Sequence, residues 1–296
     1  MIGLEGIHFM MPTPFDERGK VDEESIPALV DLAVKADCRG VVCLGVMGEA
    51  SRLTDAESRL VSGRVIKEAR GRVTVTVGTS STGTEMAVQR SVQAADLGAT
   101  AVMVAPAPVA KQNLDAVFDY YKAMASAVNI PIVVQDYPKE SNVFMPVSFI
   151  ARLCQELEEV KYLKLEDPPT PPKVTAIKKL TGESLGIFGG LGGTFLYEEL
   201  SRGACGTMTG FAYPEILVRV YNHMSQREPG KAAELFYRYL PLIRYEAQEG
   251  IGLSLRKEVL KRRGLLRCSR VRQPAAEIDE VTRQELYRLL DALELT

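Results

Sequence analysis

The stretch from Val160 to Lys173 reads VKYLKLEDPPTPPK, an apolar run with one lysine near its end, followed at once by a proline-rich segment. Read as a strand over Val160 to Leu165, it alternates its side chains with period two, so Val160, Tyr162, Lys164 and Glu166 fall on one face. Lys164 and Glu166 are then separated by roughly 7 Å along the strand and point the same way. In a strand that lines a barrel, both groups face the mouth. An amine in partly apolar surroundings loses proton affinity, and the neutral amine is the nucleophile that forms a Schiff base with a carbonyl. The plainer reading is a strand-end lysine that reaches water, with Glu166 as a surface ion-pair partner.

The same pattern repeats on either side. Short apolar runs at residues 8–15, 40–46, 73–79, 101–106, 131–138, 160–166, 186–190 and 206–211 mark eight strands, separated by seven amphipathic stretches of helical length. Helix starts carry capping-box chemistry at Thr54 with Glu57 and at Thr82 with Glu85, where each partner satisfies a free backbone amide. Strands that alternate with helices and read as continuous Val, Ile and Leu runs imply a parallel sheet covered on its outer face. Eight such units imply an α/β fold, the TIM (β/α)8 barrel. Residues 1–228 are assigned to the barrel, whose strands start near residue 5, with no Pro, Gly or Ser-rich linker inside it. Residues 229–296 hold no comparable strand, and KAAELFYRYLPLIRYEAQ (231–248) and VTRQELYRLLDALE (281–294) read as amphipathic helices. A C-terminal helical extension packed on the barrel is expected.

Composition narrows the function classes. With 296 residues, 46% hydrophobic and 25% charged, the chain suits one large globular domain rather than a disordered one. A formal charge of −2 with dispersed Lys and Arg gives no basic footprint, so no nucleic-acid partner is expected. The start lacks the features of a signal peptide, and no run approaches the ~18 apolar residues of a membrane span, so no membrane partner and a cytoplasmic location are expected. Cys38, Cys43, Cys154, Cys205 and Cys268 form no CxxC pair and are expected to be reduced and mostly buried. His8 and His223 are the only histidines and lie far apart, which gives a zinc site or a histidine-based triad no support and leaves carboxylate-bound magnesium open. No metal site is expected.

In such a barrel the functional residues lie at the C-terminal ends of the strands and in the loops that follow. Lys164 ends strand six. The other strand ends are Thr13 and Pro14, Gly45 to Glu49, Thr79 and Ser80, Pro106 to Pro108, Gln135 to Pro138, Gly189 to Gly193, and Thr207 to Gly210. Thr13, Gln135 and Thr209 are candidate hydrogen-bond partners for a substrate carboxylate or hydroxyl, or else support for those partners. The glycines of IFGGLGG, Gly190 among them, fit either a phosphate cradle or the close approach of a substrate chain or helix.

PTPFDERGKVD near the start, LGVMGEASRLTDAE after strand two, PIVVQDYP at strand five, the lysine on strand six and GTMTG at strand eight together resemble the dihydrodipicolinate synthase and N-acetylneuraminate lyase family of Schiff-base-forming class I aldolases. The resemblance runs over nearly the whole length. It implies that the backbone amides of Val46 and Met47, in the GxxGE loop, receive the substrate carboxylate, and that the assembly is a homotetramer. The departures are informative. Val46 and Met47 stand where dihydrodipicolinate synthases usually have two threonines, Gln135 stands for their strand-five tyrosine, with Tyr137 two places later, Ala107 and Pro108 for a tyrosine pair, and Glu140 for a carboxylate-binding arginine. The KxE of Lys164 and Glu166 with the proline-rich segment behind it more closely resembles the L-2-keto-3-deoxyarabonate dehydratase type within the family.

That resemblance implies a lyase for a small 2-keto acid that uses no cofactor other than a covalent lysine imine. Lys164 attacks the C2 ketone of a 2-keto-3-deoxy sugar acid, and Glu166, directly or through water, takes a C3 proton and returns one to the departing C4 hydroxyl. The alternative is a pyruvate-dependent aldolase or dihydrodipicolinate synthase-like enzyme, with Tyr137 as the base on a C4 hydroxyl. A third reading is a sugar-acid sensor that keeps the barrel without turnover. The paired charges of Lys164 and Glu166 oppose it, because buried charge without a task is costly.

Overall fold

The computed structural model describes residues 3–108 and 111–295. Among them, eight parallel strands close into a barrel in chain order: β1 (Gly6–Met10), β2 (Gly40–Cys43), β3 (Thr74–Gly78), β4 (Ala101–Val104), β5 (Ile132–Asp136), β6 (Val160–Leu165), β7 (Gly186–Gly189) and β8 (Gly206–Thr209). The surrounding helices are α1 (Ile26–Lys35), α2 (Asp55–Ala69), α3 (Thr84–Asp96), α4 (Leu114–Ala125), the short α5 (Pro138–Ser141), α6 (Val147–Glu156), α7 (Thr170–Thr181), α8 (Leu196–Leu200) and α9 (Pro214–Ser225). Three further helices follow, α10 (Pro229–Glu246), α11 (Gly252–Arg262) and α12 (Glu280–Ala292). Helix α10 lies along α9 and touches the turn after β7, while α11 and α12 pack on α10.

The strands are apolar on both faces because both are buried. Phe9, Val41, Val102, Val134, Leu163 and Ile187 pack outward under the helices, while Met10, Val42, Met103, Val133, Tyr162, Phe188 and Met208 fill the interior. Each such side chain, fully buried, stabilises the fold by about 1.5–3 kcal/mol. At the N-terminal end of the barrel, His8 meets Phe188 edge-on with ring centroids 5.2 Å apart, and Tyr162 meets the same ring at 5.5 Å. Burial pushes the His8 pKa down to about 4, so this floor is neutral at physiological pH. The floor is plugged, and chemistry is confined to the strands' C-terminal ends.

Several sequence expectations change in detail. Ile132 pairs with Val160 and Val133 with Tyr162, so Lys161 is an extra residue in β6. The bulge breaks strict alternation: Val160 packs in the outer core, while Tyr162 and Lys164 face inward. Thr54 and Glu57 form the expected capping box. Thr82 and Glu85 do not, because extended Gly83 is the N-cap and the helix begins only at Thr84. Glu85 still sits in the first turn, where its charge suits the helix dipole. All five cysteines are free, but only Cys38 and Cys43 are buried; the other three are half-buried. Among the described residues no helix is long and apolar enough to cross a membrane, and no group of three His, Cys, Asp or Glu side chains is placed to hold a metal ion.

Candidate active site

Lys164 and Glu166 leave the end of β6 on the same side and close on each other: Lys164 Nζ stands 2.9 Å from Glu166 Oε2, and the lysine side chain is only 3% exposed. Two further donors fix the carboxylate. Gln135 Nε2, on the inward face of the neighbouring β5, donates to Oε2 at 2.7 Å, and the Leu191 amide donates to Oε1 at 3.3 Å. Gly190 makes the fit possible, since a Cβ there would stand 2.7 Å from both Cδ and Oε1 of Glu166. Residues from β5, β6 and the turn after β7 thus hold one carboxylate against one amine. A surface ion pair is excluded by this burial.

The loop after β2 turns sharply at Leu44 (φ 58) into a 3-10 turn over Val46–Gly48. The first amides of a helical turn have no acceptor within it, so those of Val46 and Met47 are free to donate. Thr13 supports the loop by donating from Oγ1 to the Gly48 carbonyl at 2.6 Å. Glu49, which closes the motif, turns away from the mouth and is fully enclosed: Lys257 Nζ of α11 pairs with its Oε1 at 2.6 Å, while the Arg272 amide and Arg52 reach Oε2 at 2.8 and 3.1 Å. Both partners of the Glu49–Lys257 pair have side chains that are 0% exposed. Burial lowers the Lys257 pKa to about 8 against the opposing attraction of Glu49. Breaking a buried pair is costly, but Arg52 and the Arg272 amide stay on Glu49, so Lys257→Met is expected to cost about 3 kcal/mol, the low end for such a pair, read as a lower urea midpoint. A midpoint unchanged from the unaltered protein would show that the clamp is idle.

Strand β5 stops at Asp136, so Tyr137 is not a strand residue but the one preceding α5. Its half-buried hydroxyl is pushed up to about 12 by burial and then by the charges of Glu166, Glu140 and Glu249, with Arg256 opposing. It therefore stays protonated and serves as a donor rather than a base. Glu140 is exposed as a residue, yet burial of its carboxyl and the charge of Glu166 raise its pKa, with Lys164 and Arg52 opposing. On the outer side of the barrel, Lys173 pairs with Asp136 at 2.6 Å and Asp167 at 2.7 Å and donates to the Met145 carbonyl. The proline-rich segment thereby ties down the chain that follows β5 and β6.

Thr209 does not join the site. Met208 faces inward, so Thr209 faces the helices, its Oγ1 accepting from Phe211 N at 3.4 Å. The glycines after β7 are spaced for protein side chains: Gly190 abuts Glu166, Gly189 abuts Glu199, and Gly192 (φ 72) abuts Arg256. Two carboxylates in that position oppose a phosphate cradle.

Sequence reading missed two buried charges here. Arg256 is delivered from α11 across the mouth and places Nη1 3.1 Å from the Met47 sulfur. The visible signal was its place on an apolar stripe at helical spacing, with Gly252, Leu255, Val259 and Leu260. Glu199 sits behind Gly189, accepts from Thr170 Oγ1 at 2.5 Å, and has no partner for Oε2 among the described residues. Burial raises its pKa from 4.5 to about 7; Thr170 opposes the rise, and the charges of Glu198 and Glu166 add to it.

Because the folded state then holds a proton that the unfolded chain has released, Glu199 favours folding fully below pH 4.5, and this contribution is lost as pH rises to 7. The rise corresponds to about 3 kcal/mol. Urea unfolding at pH 5 and pH 7.5 is expected to show that Glu199→Gln flattens this decline. An unchanged pH slope would refute it.

Residues 3–293 match the dihydrodipicolinate synthetase family. The chain is 31% identical to L-2-keto-3-deoxyarabonate dehydratase of Azospirillum brasilense, with 98% of this chain and 96% of that protein covered. It is 28% identical to 4-hydroxy-tetrahydrodipicolinate synthase of Methanopyrus kandleri, with 99% and 97% covered. Among solved structures, the dihydrodipicolinate synthase from Rhodopseudomonas palustris is 38% identical and superposes with a TM-score of 0.92 over 97% of each chain. The chain therefore belongs to the dihydrodipicolinate synthetase family and is a lyase of the class I aldolase type.

Proposed function

We propose that this chain is a hydro-lyase that dehydrates a 2-keto-3-deoxy sugar acid of the L-2-keto-3-deoxyarabonate type through an imine on Lys164. The observation that carries the reading is the 2.9 Å contact between Lys164 Nζ and Glu166 Oε2, with Gln135 rather than a tyrosine beside it. Proton transfer from the ammonium to the carboxylate frees the amine, which adds to C2 of the ketone; Glu166 then hands that proton to the carbinolamine hydroxyl, so water leaves, the iminium forms and the carboxylate is restored. Glu166 takes a proton from C3 to give the enamine, and the electron pair of that bond then expels the C4 hydroxyl. The same carboxylic acid returns the proton to the leaving oxygen, so a second water departs; addition of water at C2 of the unsaturated iminium then frees Lys164, and a proton shift from C5 to C3 followed by enol tautomerisation gives the semialdehyde, for a net loss of one water. The amides of Val46 and Met47 receive the substrate carboxylate. No cofactor enters any step.

A pyruvate-dependent aldolase is the second reading, favoured by the identity to two synthases. It requires a base on the C4 hydroxyl, and Tyr137, with its pKa pushed up to about 12, is a poor one. Borohydride trapping followed by peptide mass spectrometry, alongside an assay for 2-oxoglutarate semialdehyde, separates the readings. An L-2-keto-3-deoxyarabonate adduct on Lys164 with semialdehyde formed supports the dehydratase. A pyruvate adduct without dehydration points to the aldolase, and no adduct on Lys164 with any keto acid overturns both.

A further inference from the structure

Arg256 has no task in the imine chemistry, yet its guanidinium closes one side of the mouth. The residue is 8% exposed. Its Nη1 meets a thioether, and its Nε lies 3.5 Å from Glu246 Oε2 without a hydrogen bond. These are weak partners for a donor-only group with five N–H bonds. Glu246 itself is fully buried, burial raises its carboxyl pKa against the attraction of Arg256, and its Oε2 also accepts from the Ala212 amide at 3.2 Å, so that oxygen is not reserved for Arg256. Gly192 leaves the guanidinium its space, since a Cβ there would stand 2.7 Å from Arg256 Nη2.

The order of groups around the mouth says what Arg256 would meet. Lys164 touches Glu166 Oε2, the Leu191 amide touches Glu166 Oε1, and Gly192, the next residue, abuts Arg256. A substrate with C2 on Lys164 and its C3–C4 bond over Glu166 therefore extends its next carbon toward Gly192 and Arg256.

We propose that Arg256 is a specificity-determining residue that donates to the oxygen on the carbon beyond the one that loses its hydroxyl. This rests on the dehydratase reading and extends it to the far end of the substrate. The site then selects 2-keto-3-deoxy acids that carry an oxygen there, because an alkyl end in the same place leaves the guanidinium desolvated and unpaired.

The test is a matched pair of substrates, L-2-keto-3-deoxyarabonate and 4-hydroxy-2-oxopentanoate, which differ only in the C5 oxygen. The unaltered protein is expected to prefer the first by about 10²-fold or more in kcat/KM. Arg256→Met is expected to bring that ratio near one by loss on the first substrate, with the second changed by less than about 3-fold. Arg256→Lys, which keeps the charge without the planar fork, is expected to fall between. Pyruvate trapping on Lys164 should persist in both variants. An equal fall on both substrates would reduce Arg256 to a structural part, and an unchanged ratio in either variant would overturn the proposal while leaving the imine intact. Failure of the unaltered protein to form any imine would instead overturn the dehydratase reading, and this inference with it.

Discussion

Lys164→Ala is expected to lower turnover of a 2-keto-3-deoxy acid by roughly 10⁴-fold or more, because the substitution removes the covalent route and not merely one favourable contact. The barrel should survive the change. Glu166 loses its contact with the amine but keeps Gln135 at 2.7 Å and the Leu191 amide at 3.3 Å, so no carboxylate is left bare. The floor formed by His8, Tyr162 and Phe188 lies beneath the site and does not depend on the lysine. Thermal unfolding recorded with the rate therefore separates loss of chemistry from loss of fold. Turnover within about 10-fold of the unaltered protein would mean that no imine forms on this residue.

The same strand shows what was legible in the sequence and what was not. Period two sufficed to put Lys164 and Glu166 on one face, because both follow the bulge at Lys161, whereas Val160 precedes it and ends up in the outer core. A bulge is decided by pairing with the neighbouring strand, which a single strand's pattern does not encode. Thr209 is a related case: it lies near a strand's C-terminal end, but parity with inward-facing Met208 sends it to the helices. The barrel itself was read from the alternation of apolar runs and helices, since buried parallel strands require apolar residues on both faces.

The C-terminal helices carried the larger surprise. Their amphipathic pattern announced helices but not which barrel residues they would meet, because such contacts join positions more than two hundred residues apart, as Lys257 joins Glu49 and Arg256 joins Met47. One helix therefore does two things. Lys257 grips the closing glutamate of the loop after β2, and its neighbour Arg256 leans over the methionine of that same loop. Through Lys257 the extension is thus coupled to the position of the loop amides, and the cost of Lys257→Met should include a looser carboxylate site as well as a weaker fold.

Glu166→Gln is expected to separate imine formation from proton transfer. The amide matches the carboxylate in shape, so Gly190 still accommodates it and Gln135 can turn its own amide to pair with it. What is lost is the ability to take a proton from C3 and hand one to the C4 oxygen, a function that contributes about 10²- to 10⁴-fold in rate. Dehydration should fall by that factor while borohydride still traps pyruvate on Lys164, whose ammonium must then lose its proton to water. Solvent exchange gives the sharper reading. Pyruvate incubated with the unaltered protein in deuterium oxide should lose its methyl protons through the enamine, and with Glu166→Gln that exchange should slow by a similar factor. Exchange at the original rate would assign the C3 proton to another group, and the Lys164–Glu166 contact would then serve only to place the amine.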